Sequence, residues 1–266
     1  MKINNIINSF KNKFQTKLNL NSKLKIGIDI NEVLRARWLQ MDKYYYSEFQ
    51  NELLSPDQPY VYDFFKYYKW EDTVENSKVL REPGELPEDI NPIDYQVDPI
   101  TGEAPVDFLL FKKDEEKKLT AKEVYNRFMY EDFVFEIFGT APIMYKGMDL
   151  HVKNFYEKYK NTVEFILISK ENEFSIPSTL MFLSRMMSRF TKYKFIKTDD
   201  EIWSDVDILI TTDPDIIDSN LPKGKKIIKL DRPYNMKCKK TGLIKDLIHI
   251  NDLFDNEDFK KIIKYE

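Results

Sequence analysis

The apolar residues of this chain fall into short continuous runs, separated by longer segments in which they recur at helical spacing. Short continuous runs predict strands that are buried on both faces, as in a parallel sheet. These runs are residues 26–28, 163–169, 193–196, 208–210 and 227–230. Helical spacing predicts helices over residues 33–53, 147–160, 178–190, 243–254 and 259–265. The alternation of the two patterns predicts an α/β fold, a doubly wound parallel sheet.

A long segment after the first strand interrupts this alternation. Residues 35–145 are predicted to form an inserted, mainly helical cap on a core made of residues 25–34 and 146–266. Within the insertion, residues 81–107 carry five prolines and many carboxylates, which predicts an extended acidic loop.

The second half of the insertion changes in character along the chain. Residues 112–118 are rich in Lys, Asp and Glu and predict a solvated charged segment. Residues 120–138 predict one or two helices, because Thr120 and Glu123 have the spacing of a capping box.

Residues 1–24 precede the core as a polar arm. Five apolar residues recur in it at helical spacing: Ile3, Ile6, Ile7, Phe10 and Phe14. The spacing fits a short helix that packs back on the domain, and it fits equally an arm that docks on a partner.

Residues 60–70 are dense in aromatic side chains. Such density is typical of a core, but it also fits a base-stacking platform or an interface between protein chains. Lys and Arg do not form a stripe beside these rings, so we favour a protein interface over a platform for bases. The candidate interface residues are Tyr62, Phe64, Phe65, Tyr67, Tyr68 and Trp70.

The composition of the chain indicates which binding partners and which cellular compartment are expected. The net charge of −4 gives no direct nucleic-acid signature, and no apolar run approaches the roughly 20 residues that span a bilayer. The N-terminus lacks the apolar segment of a signal peptide. The one cysteine, Cys238, fits a reducing, cytoplasmic compartment, and its basic neighbours are expected to lower its pKa.

The candidate chemistry lies where the predicted strands end. Asp29 follows the first strand, Ser169 ends the second, and Thr211 follows the fourth. In open α/β sheets ligands bind outside the carboxyl ends of the strands, so we expect these three residues to surround one crevice. The plainer interpretation of Asp29 is that it caps the next helix.

Four segments resemble the motifs of the haloacid dehalogenase-like (HAD) phosphatases, in their 5'(3')-deoxyribonucleotidase branch. They are DINEVL at 29–34, VEFILIS at 163–169, DILI at 207–210 and KIIKLDRPYN at 226–235. The resemblance implies a HAD-like Rossmannoid core with an inserted cap. It also implies family positions for the nucleophile at Asp29, the acid and base at residue 31 and the phosphate contact at Ser169, with Mg²⁺ as cofactor.

The chain departs from those motifs at several positions. Residue 31 is Asn31, whose amide cannot exchange a proton near neutral pH. The acidic pair that would hold Mg²⁺ aligns with Thr211 and Thr212, although Asp213 follows at once and could form a shifted metal site with Asp29. Residues 199–201 are acidic where the family has a phosphate-binding lysine.

These departures favour a catalytically degenerate HAD-fold protein that acts as a structural or interaction module. Such a module needs no cofactor, its partners are other protein chains in an oligomer or larger assembly, and no membrane is involved. Frequent Lys, Asn and Ile suggest an AT-rich genome, so a virion or assembly component of a phage is one possible setting.

Two other hypotheses keep a ligand in the crevice. One is an active Mg²⁺-dependent 5'-nucleotidase with Asp29 as nucleophile and Asp29 and Asp213 as metal ligands. The other is a nucleotide or phosphate sensor that binds at Asp29, Asn31 and Ser169 without turnover.

Overall fold

The computed structural model describes residues 23–49, 62–80, 111–186, 190, 192–239 and 242–264. The strands in these ranges are β1 Leu24–Asp29, β2 Thr73–Leu80, β3 Phe111–Leu119, β4 Val163–Lys170, β5 Tyr193–Ile196, β6 Ile208–Thr211 and β7 Lys226–Lys229. The α-helices are α1 Arg37–Phe49, α2 Phe64–Tyr67, α3 Ala121–Arg127, α4 Met148–Tyr159, α5 Ile176–Arg185, α6 Pro214–Asp218, α7 Ile250–Asp255 and α8 Glu257–Lys264. Shorter π and 3₁₀ turns are Phe128–Asp132, Phe135–Gly139, Glu173–Ser175, Asp199–Ser204 and Pro233–Asn235.

The chain divides into two compact units. The first draws on Met1–Phe64 and Phe133–Glu266, and the second is Phe65–Asp132. The boundaries given above for the arm, the core and the cap stay a prediction. Residues 1–22 of the arm and the acidic loop at 81–107 lie outside the described residues.

Five strands of the first unit form a parallel sheet in the order β5-β4-β1-β6-β7. The predicted α/β fold with a doubly wound parallel sheet is confirmed. β1 is central because its residues can be buried on both faces: Ile26 and Ile28 are fully buried, and Gly27 lets the neighbouring side chains approach closely.

Apolar side chains cover both faces of the sheet, as the continuous runs predicted. On β4, Phe165 and Leu167 join the core cluster beneath α4, α7 and α8. The alternate residues Ile166 and Ile168 join a second cluster with Trp203 and α6. These two apolar clusters hold the parallel strands together, so that the carboxyl ends of the strands lie along one edge of the sheet.

The second unit contains an antiparallel strand pair that the sequence patterns did not predict. β2 pairs with β3, so the charged residues 112–118 belong to a strand. In the register of this pair, residue 75 is the partner of residue 117. The capping box is confirmed, since Thr120 caps α3 with Glu123 as its partner.

The helix boundaries differ from the predicted ones mainly where a turn intervenes. The first helix begins at Arg37 and not at residue 33, because residues 30–35 form a tight turn. Within residues 243–254 only the α7 segment is helical. No helix in the described parts of the chain has the length and apolar character needed to cross a bilayer.

We predict that Gly27→Ala destabilises the first unit by about 1–3 kcal/mol, because a methyl group must be inserted into a filled core. A Cβ atom at this position would lie 2.9 Å from Ile168 Cδ1 and 3.0 Å from both Leu209 Cδ1 and Val206 Cγ1. Urea denaturation measures the change. The control is Lys25→Ala on the same strand, at a half-buried residue, which should cost less; equal costs would contradict the packing around β1.

Candidate functional site

The turn after β1 brings three polar side chains to the carboxyl edge of the sheet. The backbone N–H of Arg35 donates to Ile30 O (3.0 Å) and that of Glu32 to Arg35 O (2.8 Å). Glu32 takes the left-handed conformation (φ 60°), which is strained for a residue with a side chain. Arg232 Nη2 donates to Glu32 O at 3.2 Å and helps to hold this turn. Asp29, Asn31 and Arg35 are thereby fixed side by side.

Asp29 lies buried in this edge, with both carboxylate oxygens in use. Its Oδ1 accepts from the backbone N–H of Asn31 at 3.1 Å, and its Oδ2 accepts from Thr211 Oγ1 at 2.9 Å. Burial, with the nearby charge of Asp213, raises the pKa of Asp29 to about 7, against the weaker opposing effects of Thr211, Arg37 and Asn31. The raised pKa favours the protonated carboxyl group over the range from pH 4 to about 7.

Asp213 lies beside Asp29, and it too forms hydrogen bonds within the chain. Its Oδ1 caps α6 by accepting from the N–H groups of Asp215 (2.8 Å) and Ile216 (3.3 Å). Its own N–H donates to Thr211 Oγ1 at 3.0 Å. The hydroxyl of Tyr62 donates to its carboxylate, but burial outweighs these bonds and raises the pKa of Asp213. The strand-end residues Asp29 and Thr211 meet here, as predicted.

A second group of polar side chains closes the other side of the turn; we call Asn31, Arg35, Ser169 and Glu171 the Arg35–Glu171 network. Asn31 Nδ2 donates to Ser169 Oγ at 2.8 Å, and Ser169 Oγ donates to Glu171 Oε1 at 2.7 Å. Arg35 Nη2 donates to Glu171 Oε1 at 2.6 Å, and Arg35 also bonds to Asn31 Oδ1. Ser169 lies at the same edge of the sheet as Asp29, as expected, because Asn31 bonds to both residues.

The ion pair of this network is completely buried. Both side chains have an exposed fraction of 0%. Burial works to raise the pKa of Glu171, but Arg35 and the hydroxyls of Ser175 and Ser169 outweigh it and hold that pKa below its usual value. Burial lowers the pKa of Arg35, but an arginine keeps its charge under such conditions. The pair is therefore charged, and its remaining donors are satisfied by Phe138 O (2.8 Å) and Thr179 Oγ1 (2.7 Å).

A third set of side chains surrounds Glu32. Burial raises the pKa of Glu32 despite its ion pair with Arg37, whose Nε lies 3.1 Å from Glu32 Oε1. The hydroxyls of Thr212 and Tyr234 are also buried here, close enough to each other to interact. The ring of Tyr234 lies 5.9 Å from that of Tyr62.

The predicted interface residues lie mostly in ring contacts within their own chain. Phe64 is buried, with the Arg37 guanidinium 5.1 Å above its ring. In the second unit Trp70 contacts Tyr125 at 5.2 Å, and the other contacts are Phe65 with Tyr125, Tyr67 with Tyr68, and Tyr68 with Trp70. A role of Tyr62, Phe64, Phe65, Tyr67, Tyr68 and Trp70 in binding another chain stays a prediction.

Sequence reasoning missed Arg35, Glu171 and the place of Tyr62. A signal was present for the first two: each charged residue closely follows the end of an apolar strand. The lowered pKa expected for Cys238 was wrong. Burial and the charge of Asp218 raise it, and Lys229 opposes them only in part.

We predict that Asp29→Asn stabilises the protein at alkaline pH. The folded state binds the Asp29 proton more tightly than the unfolded chain does, so the free energy of unfolding falls as pH rises from 3.8 to about 7. Asparagine cannot ionise, so the variant should gain up to about 4 kcal/mol at pH 8. Urea denaturation from pH 5 to pH 8 measures this gain. Asp200→Asn, at an exposed position, is the control, and an unchanged pH slope in Asp29→Asn would contradict the burial of this carboxylate.

We predict that Glu171→Gln costs about 3–5 kcal/mol, because it leaves the Arg35 charge buried without a counter-ion. The preceding residue supplies the control: Lys170 Nζ lies 3.0 Å from Asp199 Oδ1 in a solvent-exposed pair. Lys170→Gln should cost at most about 1 kcal/mol. Similar losses in denaturant midpoint for both variants would argue against a charged, buried pair.

Comparison with known proteins assigns no role to this site. The chain matches no family model, and a search of curated proteins finds no significant match.

Proposed function

We propose that this chain is a catalytically degenerate HAD-fold protein that acts as a structural or interaction module. The observation that carries the proposal is the closed Arg35–Glu171 network. Besides Asp29, the family positions are Asn31 and Ser169. Their side chains bond to each other and to Arg35 and Glu171. Side chains that are bonded to one another in this way are poorly placed to orient a phosphoryl group.

The chemistry of the residues points the same way. Asn31 cannot pass a proton to a leaving group, and Ser169 already donates its hydroxyl proton to Glu171. Burial raises the pKa of Asp29 to about 7 and so favours the neutral carboxylic acid, a weaker nucleophile than the carboxylate. Phosphoryl transfer depends on positioned charge, and Arg37, the cation whose charge acts on Asp29, is paired with Glu32.

The residues do not fit the Mg²⁺ ion that the family resemblance implies. The oxygens of Asp29 accept from Asn31 and Thr211, and the carboxylate of Asp213 accepts from Tyr62 and from the start of α6. Mg²⁺ needs near-octahedral oxygen ligands, and these donors already take part of the lone pairs that the two carboxylates offer. Across the described ranges, no group of three His, Cys, Asp or Glu residues is placed to hold a metal ion.

Exposed apolar side chains support the interaction part of the proposal. Phe135, Phe174 and Met181 are 47%, 64% and 44% exposed, on three elements of the first unit. α5, which carries Met181, packs on both the 135–139 turn and the 173–175 turn. Such side chains on adjoining elements are typical of a surface that binds another protein. Membership of a phage virion stays a prediction that rests on composition.

A Mg²⁺-dependent 5'-nucleotidase is the second candidate, and one observation favours it. Asp213 lies close enough to Asp29 for its charge to raise the pKa of Asp29. Two neighbouring buried carboxylates would be stabilised by a cation at the shifted site formed by Asp29 and Asp213.

Hydrolysis assays separate the two candidates. We expect the purified chain to release no phosphate from p-nitrophenyl phosphate or from a panel of nucleoside monophosphates, with Mg²⁺ or with EDTA, beyond the rate of Asp29→Asn. The variant keeps the size of the side chain and removes the nucleophile, so it corrects for contaminating phosphatases. Mg²⁺-dependent turnover that Asp29→Asn abolishes would make the nucleotidase the better assignment.

Light scattering after size exclusion tests the interaction part of the same proposal. We expect an oligomer or a larger assembly. A strictly monomeric chain that also shows no turnover would contradict self-association and require a different protein as partner.

A further inference from the structure

Exposed apolar side chains form a stripe along one face at the start of α5. Phe174, Pro177 and Met181 recur there at helical spacing, and Leu180 lies beside them. Phe174 is 64% exposed, Met181 44% and Leu180 37%. The opposite face of the helix packs in the core at Phe182, so the stripe is the outer side of a firmly anchored helix.

Phe135 adds a fifth side chain to this stripe. It is 47% exposed, and a Cβ atom at Gly139 would lie 3.1 Å from Phe135 Cδ2 and 3.3 Å from Ser178 O, so its ring lies close to the start of α5. Exposed apolar residues that adjoin in this way are typical of a binding surface. We call the five residues the α5 surface: Phe135, Phe174, Pro177, Leu180 and Met181.

Carboxylate side chains accompany this surface. Glu173 directly precedes Phe174 and is exposed, and the half-buried Glu136 directly follows Phe135. Arg185, at the end of α5, donates to a backbone carbonyl at 2.8 Å. A partner for the α5 surface should therefore combine apolar side chains with positive charge.

The arm at residues 1–22 has this combination. Its apolar residues recur at helical spacing over residues 3–14, and it carries four lysines and no Asp or Glu. At that spacing Lys11 and Lys13 fall on the two flanks of the apolar face. A helix over residues 3–14 would be about 18 Å long, which is enough to cover a stripe of about 10 Å along α5.

The arm and the α5 surface are attached at opposite edges of the sheet. The arm joins the amino end of β1, where Lys23 Nζ donates to Lys160 O at 2.8 Å, whereas Phe174 follows the carboxyl end of β4. Within one chain, the arm would have to return along the sheet by about 20 Å, the length of a six-residue strand. Two copies can exchange their arms without this constraint and so close a symmetric dimer.

We propose that the arm of a second copy docks on the α5 surface through its apolar face, and that two copies exchange arms reciprocally. The inference rests on the proposed function, in which the chain associates, and it names the two parts of the contact. The lysines of the arm then lie beside the carboxylates that accompany the surface.

The oligomeric state of two double variants tests this inference. Light scattering and sedimentation velocity compare the wild-type chain with an arm variant, Ile7→Ser with Phe10→Ser, and a surface variant, Phe174→Ser with Met181→Ser. We expect the dissociation constant of the dimer to rise at least about tenfold in each variant, since each loses apolar side chains from the contact.

A control and a mixing experiment complete this test. Leu150→Ser with Met236→Ser changes two exposed apolar residues on other elements and should associate as wild type does. The arm variant keeps an intact surface and the surface variant an intact arm. An equal mixture of the two should therefore regain association through one exchanged arm.

A labelled peptide of residues 1–17 tests the same contact without self-association. In fluorescence anisotropy we expect the full-length arm variant to bind this peptide. Adding Phe174→Ser and Met181→Ser should weaken binding at least about tenfold. Adding Glu173→Lys should weaken it about two- to fivefold, because it reverses a charge beside the surface.

Three results would overturn the inference. The first is a wild-type chain that is monomeric, or an arm or surface variant that associates as wild type does. The second is a mixture that stays monomeric although each variant has lost association, since the arm would then lie on its own chain. The third is a peptide that binds equally well without the α5 surface. Circular dichroism checks each fold, and Met181→Ser alone decides the matter if the double surface variant unfolds.

The outcome is separable from that of the proposed function. Phosphate release by the wild-type chain would contradict the lack of catalysis, whatever the arm binds. An oligomer that persists in both the arm variant and the surface variant would contradict the role of the arm and leave the proposed association standing.

Discussion

A buried guanidinium requires a counter-charge and a partner for each donor, and Arg35 receives both at the carboxyl edge of the sheet. Glu171 supplies the charge, while Asn31, Thr179 and the carbonyl of Phe138 accept its other hydrogen bonds. Removing one member would leave an uncompensated charge in the core, at a cost far above that of a surface pair. The turn after β1 and the loop after β4 are therefore tied to each other.

On the opposite side of the same turn, the neighbouring buried groups are two carboxyl groups, which carry charge of the same sign when ionised. Asp29 and Asp213 lie near each other, and burial raises the pKa of both although the charge of Arg37 opposes the rise at Asp29. Retaining such a pair costs stability near neutral pH, which is typical of positions that once served, or still serve, a function. Tyr62 and Thr211 offset part of that cost by donating hydrogen bonds.

The sequence predicted the sheet well and the site only in outline. Continuous apolar runs locate strands because burial on both faces leaves no polar positions, and Asp29, Ser169 and Thr211 follow from where those runs end. Arg35 and Glu171 could not be paired in advance, since they are 136 positions apart and their contact depends on the register of β1 with β4. The β2–β3 pair was missed because its charged residues show no apolar alternation.

The central claim is that the side chains of the Arg35–Glu171 network bond to one another and not to a ligand. A crystal structure grown with Mg²⁺ and tungstate, whose tungsten atom can be located by anomalous scattering, tests it most directly. The account predicts that Asn31 still bonds to Ser169 and Arg35 to Glu171, with no ion bound to Asp29. An ion at Asp29, with Asn31 and Ser169 turned towards a bound oxyanion, would contradict it.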